Sequence, residues 1–267
     1  SMSLCTRDKK YDVSIVSRKN SLFKEIKSYK SLKQITKEQA SFDLIIHCSA
    51  ATPFNCEFGK IADINSNIDS ELSEFINKTV VKQVIYLSTM AVYGDINVDI
   101  LSEKTIINKP NIYGLSKYSG ENHIKETCKN KKVKLAIIRL PGVVGKNMPN
   151  IFFKRLYNSI LNNMEIIIRS RDSLFNNAVL DKDIFLTSIN IYKKQTKSFI
   201  LLNHHAKDTI TLGELIDRFS RTLGKSCFYR ESIECNPPFL ITNTVNDSLI
   251  ISSDIHEMIK YYHLSYE

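Results

Sequence analysis

The chain has 267 residues, of which 43% are hydrophobic and 24% charged, ordinary values that exclude extended disorder and collagen-like or low-complexity architecture. Its 37 basic and 28 acidic residues give a formal charge of +9; they are spread along the chain, which suits an anionic ligand and favours a solvated surface over a nucleic-acid partner. Lys, Arg, Asp or Asn interrupts every apolar run before it reaches the about eighteen residues that a membrane span needs, so no membrane partner is expected.

In chain order, residues 11–17 (YDVSIVS) predict a strand and residues 21–33 a helix or irregular connector. Residues 43–48 (DLIIHC) are nearly all apolar, the pattern of a strand buried on both faces. Ile61, Ile64, Ile68, Leu72, Phe75 and Ile76 recur at helical spacing and predict one apolar stripe. Residues 83–88 (QVIYLS) predict the next buried strand, residues 113–128 a helix, and residues 133–139 (VKLAIIR) another strand. This alternation points to β-α-β units and a mainly parallel sheet over residues 1–145. Beyond it, helices over 149–163, 181–194 and 211–223, with short strands at 165–168 and 198–202, predict a smaller α/β lobe over 146–267, some segments of which return to the main domain. Thr211 with Glu214 three residues on is the pattern of a capping box, and Gly224 closes that helix.

Cys5, Cys48, Cys56, Cys128, Cys227 and Cys235 form no C-x-x-C pair, so neither a zinc site nor a disulfide framework is indicated, and free thiols in a reducing cytoplasm are expected. The N-terminus lacks the apolar core of a secretory signal. His204, His205, His256 and His263 have no acidic or cysteine companions at ligand spacing; surface positions are expected for them, and no metal site.

The segment carrying most chemical information is Tyr113-Gly-Leu-Ser-Lys117, where a phenol and an ammonium four residues apart share one helix face. By itself the pattern is weak: with 12 tyrosines and a lysine at about every tenth position, roughly one chance occurrence is expected. A second one, Tyr29 to Lys33, has no supporting context. Tyr113, by contrast, follows the strand QVIYLS, which runs into Ser88, Thr89, Met90 and Tyr93-Gly94 and so places hydroxyls at the carboxyl end of a parallel strand, where open α/β sheets bind ligands. Met90 and Tyr93 are read as packing or pocket wall.

HCSAAT, Asn65 in the next helix, LSTMAVYG, YGLSK, RLPGVVG, VLDKDI and ITLGEL follow in this order. Together they resemble the extended short-chain dehydrogenase/reductases, which include nucleotide-sugar epimerases, dehydratases and reductases, over roughly residues 11–225. The resemblance implies a Rossmann-like doubly wound α/β fold and a nucleotide-sugar substrate. It makes Tyr113 the acid/base. A nearby ammonium favours a phenolate, so Lys117 would bring Tyr113 toward neutral pH. Lys117 would also hold the nicotinamide ribose, Thr89 would hydrogen-bond the reacting oxygen, and Asn65 would support the proton network. Pro141, Val143 and Val144 would lie by the nicotinamide, and Ala50, Ala51 and Thr52 on the pyrophosphate or adenosine side. Met90 and Asn177 join Thr89 on the substrate side. Relatives often place Tyr or Arg where this chain has Asn176-Asn177, which puts the usual diphosphate contact in question.

Family dehydratases carry an acid pair directly after the Thr; here Met90-Ala91 follows, which disfavours dehydration and points to a 4-epimerase or ketoreductase moving a hydride at sugar C4. Ser17-Arg18 stands where an acidic residue would bind the ribose of NAD, and Arg18 can take a 2′-phosphate, so NADP is preferred to NAD. A homodimer through the Tyr helix is the family habit. The main departure is at the front: the first glycine is Gly59, and YDVSIVS already corresponds to the family's second strand, so the glycine-rich strand-turn-helix that cradles the pyrophosphate is missing. A shortened chain, a relative that has lost dinucleotide binding and works as an inactive sugar-nucleotide or partner-binding module, and an unusual pairing that fills the gap all remain open.

Overall fold

The apolar, β-branched runs of this chain form a parallel sheet because helices cover both of its faces. The structure, a computed structural model, describes residues 11–17, 26–38, 41–146, 149, 151–234, 237–244 and 247–264. The elements that position the site are β1 (Ser14–Val16), β2 (Lys27–Tyr29), α1 (Leu32–Glu38), β3 (Ser41–His47), α2 (Ile61–Lys78), β4 (Val80–Thr89), α3 (Ile112–Lys131), β5 (Lys134–Leu140), β6 (Gly142–Val144), α4 (Phe152–Leu161), β7 (Ala178–Leu180), α5 (Asp181–Lys194), β8 (Phe199–Asn203), α6 (Leu212–Leu223) and α7 (Ile255–Leu264).

The main sheet runs β8-β5-β4-β3, all parallel. Alternate residues of each strand point to opposite faces. Val84, Tyr86, Leu135 and Ile137 meet Leu72 and Ile76 of α2 and Ile124 and Cys128 of α3; Ile85, Ala136, Ile138, Ile200 and Leu202 meet Ile191 of α5. The chain is therefore a Rossmann-type α/β fold. A second core joins α4, α6 and α7 through Phe153, Leu156, Phe219, Ile259 and Tyr262, while β8 returns to the main sheet. Among the described residues no helix is long and apolar enough to cross a membrane, and no group of His, Cys, Asp and Glu could hold a metal ion.

Three sequence expectations need correction. Residues 27–29 form a strand parallel to β1, not part of a helix or irregular connector, and the helix begins only at Leu32. The pair Tyr29 and Lys33 thus straddles a strand and a helix. Second, β3 is not buried on both faces: Leu44, Ile45 and Ile46 are half-buried, whereas Val84, Ile85 and Tyr86 of the neighbouring strand are 0% exposed. The cause is topological. β3 pairs with β4, β1 pairs with β2, and among the described residues no ladder joins β1 to β3. The parallel sheet is interrupted between them. Third, His204 is fully buried at the end of β8, its Nε2 3.0 Å from Thr187 Oγ1, and burial pushes its imidazole down to about 3.

The helix predicted over 211–223 is α6, with Thr211 Oγ1 accepting from Glu214 N at 3.1 Å and Gly224 in the left-handed region at φ 61°. The return half of the capping box does not appear, since Glu214 Oε1 accepts instead from Arg218 at 2.7 Å. A buried ion pair ties α3 to β5. Arg139 donates from Nη2 to Glu121 Oε2 at 2.7 Å and from Nε to Oε1 at 3.0 Å, Ser88 donates to Oε1 as well, and both charged side chains are 4% exposed. Removing one partner strands the other charge in the interior. Glu121→Ala is therefore expected to lower unfolding stability in urea by about 3–5 kcal/mol; a loss under about 1 kcal/mol would contradict this role for the pair.

Candidate active site

The carboxyl ends of β4 and β5 open into a crevice of about 810 Å³, the place where parallel α/β sheets bind ligands. Its position follows from the chain leaving β4. Thr89 is still extended and its Oγ1 accepts from Ala91 N at 3.2 Å, starting a tight helical turn over Met90–Tyr93. The start of α3 is seated on that turn. Asn111 caps the helix by accepting from Gly114 N at 2.9 Å, and Gly114 lies so close to the Ala91 carbonyl that a Cβ would overlap it. Only glycine permits this approach.

The consequence is that Tyr113, one residue before that contact, faces Thr89. Both side chains line the crevice, with the Thr89 hydroxyl near enough to the phenol to favour its ionised form. Burial raises the Tyr113 phenol above its usual range, and the neighbouring Thr89 hydroxyl works in the opposite direction. Thr52, Met90, Pro141, Val143 and Asn177 share the lining. Asn177 Oδ1 is buried without a hydrogen-bond partner. Phe54, Ile151, Phe239 and Ile241 complete much of the wall; they come from loops and short segments that carry no motif.

Other predicted site residues lie elsewhere. Asn65 is 2% exposed and does not face water: its Oδ1 accepts from Ala51 N at 2.7 Å, and its Nδ2 donates to Ala51 O at 3.1 Å and Ser116 Oγ at 2.9 Å. It clamps the loop after β3 to the Tyr helix and reaches the crevice only through that loop. Ala51 is buried and Ala50 half-buried, and neither lines the crevice. Val144 is 0% exposed and belongs to the core that also holds Phe153, Leu156 and Phe219, because β6 pairs with β7 there. Arg18 lies outside the described residues.

Lys117 differs most from expectation. It is 2% exposed, donates from Nζ to Tyr86 Oη at 2.8 Å and stands 4.0 Å over the Tyr86 ring. Burial lowers its ammonium to about 8, against the raising influence of Asp69, Glu121 and Cys48. The Tyr113 phenol, meanwhile, is raised by its burial. The phenol is thus raised where its lysine neighbour was expected to lower it, and the ammonium is turned toward Tyr86 in the interior.

Residues 4–174 match the NAD dependent epimerase/dehydratase family. The chain belongs to that family. A dTDP-D-glucose 4,6-dehydratase of Dictyostelium discoideum is 28% identical over 162 residues, 55% of this chain and 37% of the relative, so the chain spans little more than a third of that protein. Among solved structures, a UDP-glucose 4-epimerase from Thermotoga maritima with UDP-glucose superposes with a TM-score of 0.79 at 18% identity, covering 99% of this chain and 95% of that one. A UDP-glucuronic acid 4-epimerase from Bacillus cereus in complex with NAD gives 0.78 at 17% identity, covering 99% and 92%. These likenesses establish the Rossmann fold.

The residues present fit one half of a nicotinamide dinucleotide. Thr89, Tyr113, Pro141 and Val143 form an apolar wall edged with hydroxyls, suited to a nicotinamide ring. Among the described residues no charged side chain lines the crevice. An expected outcome concerns Tyr113 alone. In a difference titration of wild type against Tyr113→Phe, the tyrosinate absorbance owed to this residue should emerge only above about pH 10, the ordinary phenol value; ionisation below it would contradict the geometry described.

Proposed function

We propose that this chain acts on the sugar of a nucleotide-linked sugar, as a 4-epimerase or ketoreductase using a nicotinamide dinucleotide. The observation that carries the reading is that Tyr113 and Thr89 line one crevice at the carboxyl ends of the parallel strands, with the Thr89 hydroxyl near the phenol. When bound, the dinucleotide would supply hydride chemistry, with Pro141 and Val143 beside its ring. Thr89 orients the sugar oxygen, and Tyr113 exchanges a proton with it. Because the Tyr113 phenol is raised, it holds its proton through neutral pH. Proton donation to a carbonyl-derived oxygen is thus favoured over proton abstraction, so reduction should be flat across neutral pH while oxidation rises with pH. Asn177 Oδ1, without a protein donor, is available to a sugar hydroxyl, and Met90 supplies an apolar floor. Dehydration is disfavoured: Met90 and Ala91 follow Thr89, and no Asp or Glu lines the crevice among the described residues. The preference for NADP rests on Arg18, the homodimer on family habit, and a cytoplasmic role in surface-polysaccharide synthesis on family analogy.

A second reading, an inactive relative that binds a sugar nucleotide or a partner, is favoured by the inward turn of Lys117. One experiment separates the two. Incubated with UDP-glucose or UDP-glucuronic acid and NAD or NADP, the wild type should convert the sugar at C4 as seen by NMR, and Tyr113→Phe should lose about 10²–10⁴-fold in rate. Calorimetric binding without conversion, unchanged in Tyr113→Phe, would support the second reading; neither binding nor conversion would overturn both.

A further inference from the structure

Helix α2 turns Asn65, Asp69 and Ser73 inward where the sequence pattern placed an apolar stripe, and Ser73 pairs with Thr127 of α3. Asn65 is accounted for by the Ala51 clamp. Asp69, one turn later and 4% exposed, has no part in that clamp. It accepts from Tyr86 Oη, at 3.0 Å to Oδ1 and 3.2 Å to Oδ2, and Tyr86 Oη in turn accepts from Lys117 Nζ at 2.8 Å. The hydroxyl is therefore a bridge between a carboxylate and an ammonium. Gly120, one turn after Ser116 on α3, leaves the space: a Cβ there would overlap the Asp69 carboxylate and the Tyr86 hydroxyl.

We propose that Asp69 is a positioning residue, whose carboxylate anchors the Lys117 ammonium beneath the crevice floor through the hydroxyl of Tyr86. The anchor rests on the reading of Tyr113 and Lys117 as the reactive pair only for its bearing on catalysis; the contact itself does not depend on it.

The groups around Lys117 leave Asp69 as its main source of negative charge. Glu121, on the same helix, is engaged by Arg139 and Ser88. His47 stacks on Tyr86 at 5.3 Å and 20° and places Nε2 3.6 Å from Asp69 Oδ1, and burial lowers its imidazole, so it adds no anion. Cys48 follows β3 and Tyr113 lies on the crevice side. A lysine with so little exposure is pressed toward the neutral amine by desolvation, and the carboxylate across the tyrosine bridge opposes that pressure. Asp69 thereby keeps Lys117 charged and turned inward, and the ammonium is withheld from Tyr113.

The test reads Lys117 directly and needs no substrate. In protein labelled with carbon-13 at the lysine ε carbon, the Lys117 resonance is the one lost in Lys117→Arg. In wild type it should titrate near 8. In Asp69→Asn it should titrate about 1–3 pH units lower, the scale on which a close opposite charge acts, with an unchanged circular dichroism spectrum. Asp69→Ser, smaller and equally neutral, should move it the same way and serves if the first variant does not fold. A titration unmoved in the variants, or moved up to the ordinary lysine range as general loosening would do, overturns the proposal; so does a wild-type resonance already titrating in that range. If the shift is found but wild type turns over no sugar nucleotide, the functional reading fails and the anchor stands.

Discussion

The site depends on how closely the first turn of α3 approaches the chain leaving β4. Strand β4 alone would deliver Thr89 to the sheet edge, and α3 alone would deliver Tyr113 to a helix N-terminus; neither makes a site. They meet because residue 114 has no side chain and can press against the Ala91 carbonyl. The Asn111 cap fixes where the helix begins, and the Arg139–Glu121–Ser88 cluster fixes how it lies on the strand ends. With these contacts in place Tyr113 and Thr89 line the same crevice.

The same packing explains why the phenol and its lysine neighbour part company. Helical spacing puts Tyr113 and Lys117 on one face, yet that face spans two environments. Its first residue overlooks the crevice, and the second, one turn later, passes over the Tyr86 ring into a pocket already holding Asp69 and His47. A buried ammonium needs a partner, and the nearest one lies inward. Among the described residues, the electrostatics of the crevice are consequently those of a neutral wall with the hydroxyls of Thr52, Thr89 and Tyr113, although the chain carries +9 overall.

Most of the fold was legible because it rests on apolar periodicity. The parallel order of β3, β4 and β5, the helix starting at Asp181, and the Thr211 cap with Gly224 all follow from local pattern. What escaped had nonlocal causes. Residues 27–29 (KSY) carry no strand pattern and pair only because β1 lies alongside. The half-exposure of β3 depends on the strand that does not pair with it. On α2 the apolar stripe pointed to Ile64 and Ile68, whereas the fully buried line includes Asn65 and Asp69, with Ile64 and Ile68 half-buried; polar residues occupy it because they face Ala51, Ser116 and Tyr86. Within the site, the order of motifs brought Thr89, Tyr113, Pro141 and Val143 into view. The inward course of Lys117 was hidden because spacing specifies a helix face and not what that face meets. Asp69 left one signal, a carboxylate one turn after Asn65 on an otherwise apolar face.

The central claim, that the Gly114 contact seats Tyr113 on Thr89, is tested most directly by a nuclear Overhauser effect between the Tyr113 ring and the Thr89 methyl group. The account predicts a cross-peak in the wild-type protein and its loss in Gly114→Ala, in which the added methyl drives the helix away from Ala91. A wild-type protein lacking the cross-peak, or a Gly114→Ala variant that keeps it unchanged, would contradict the account.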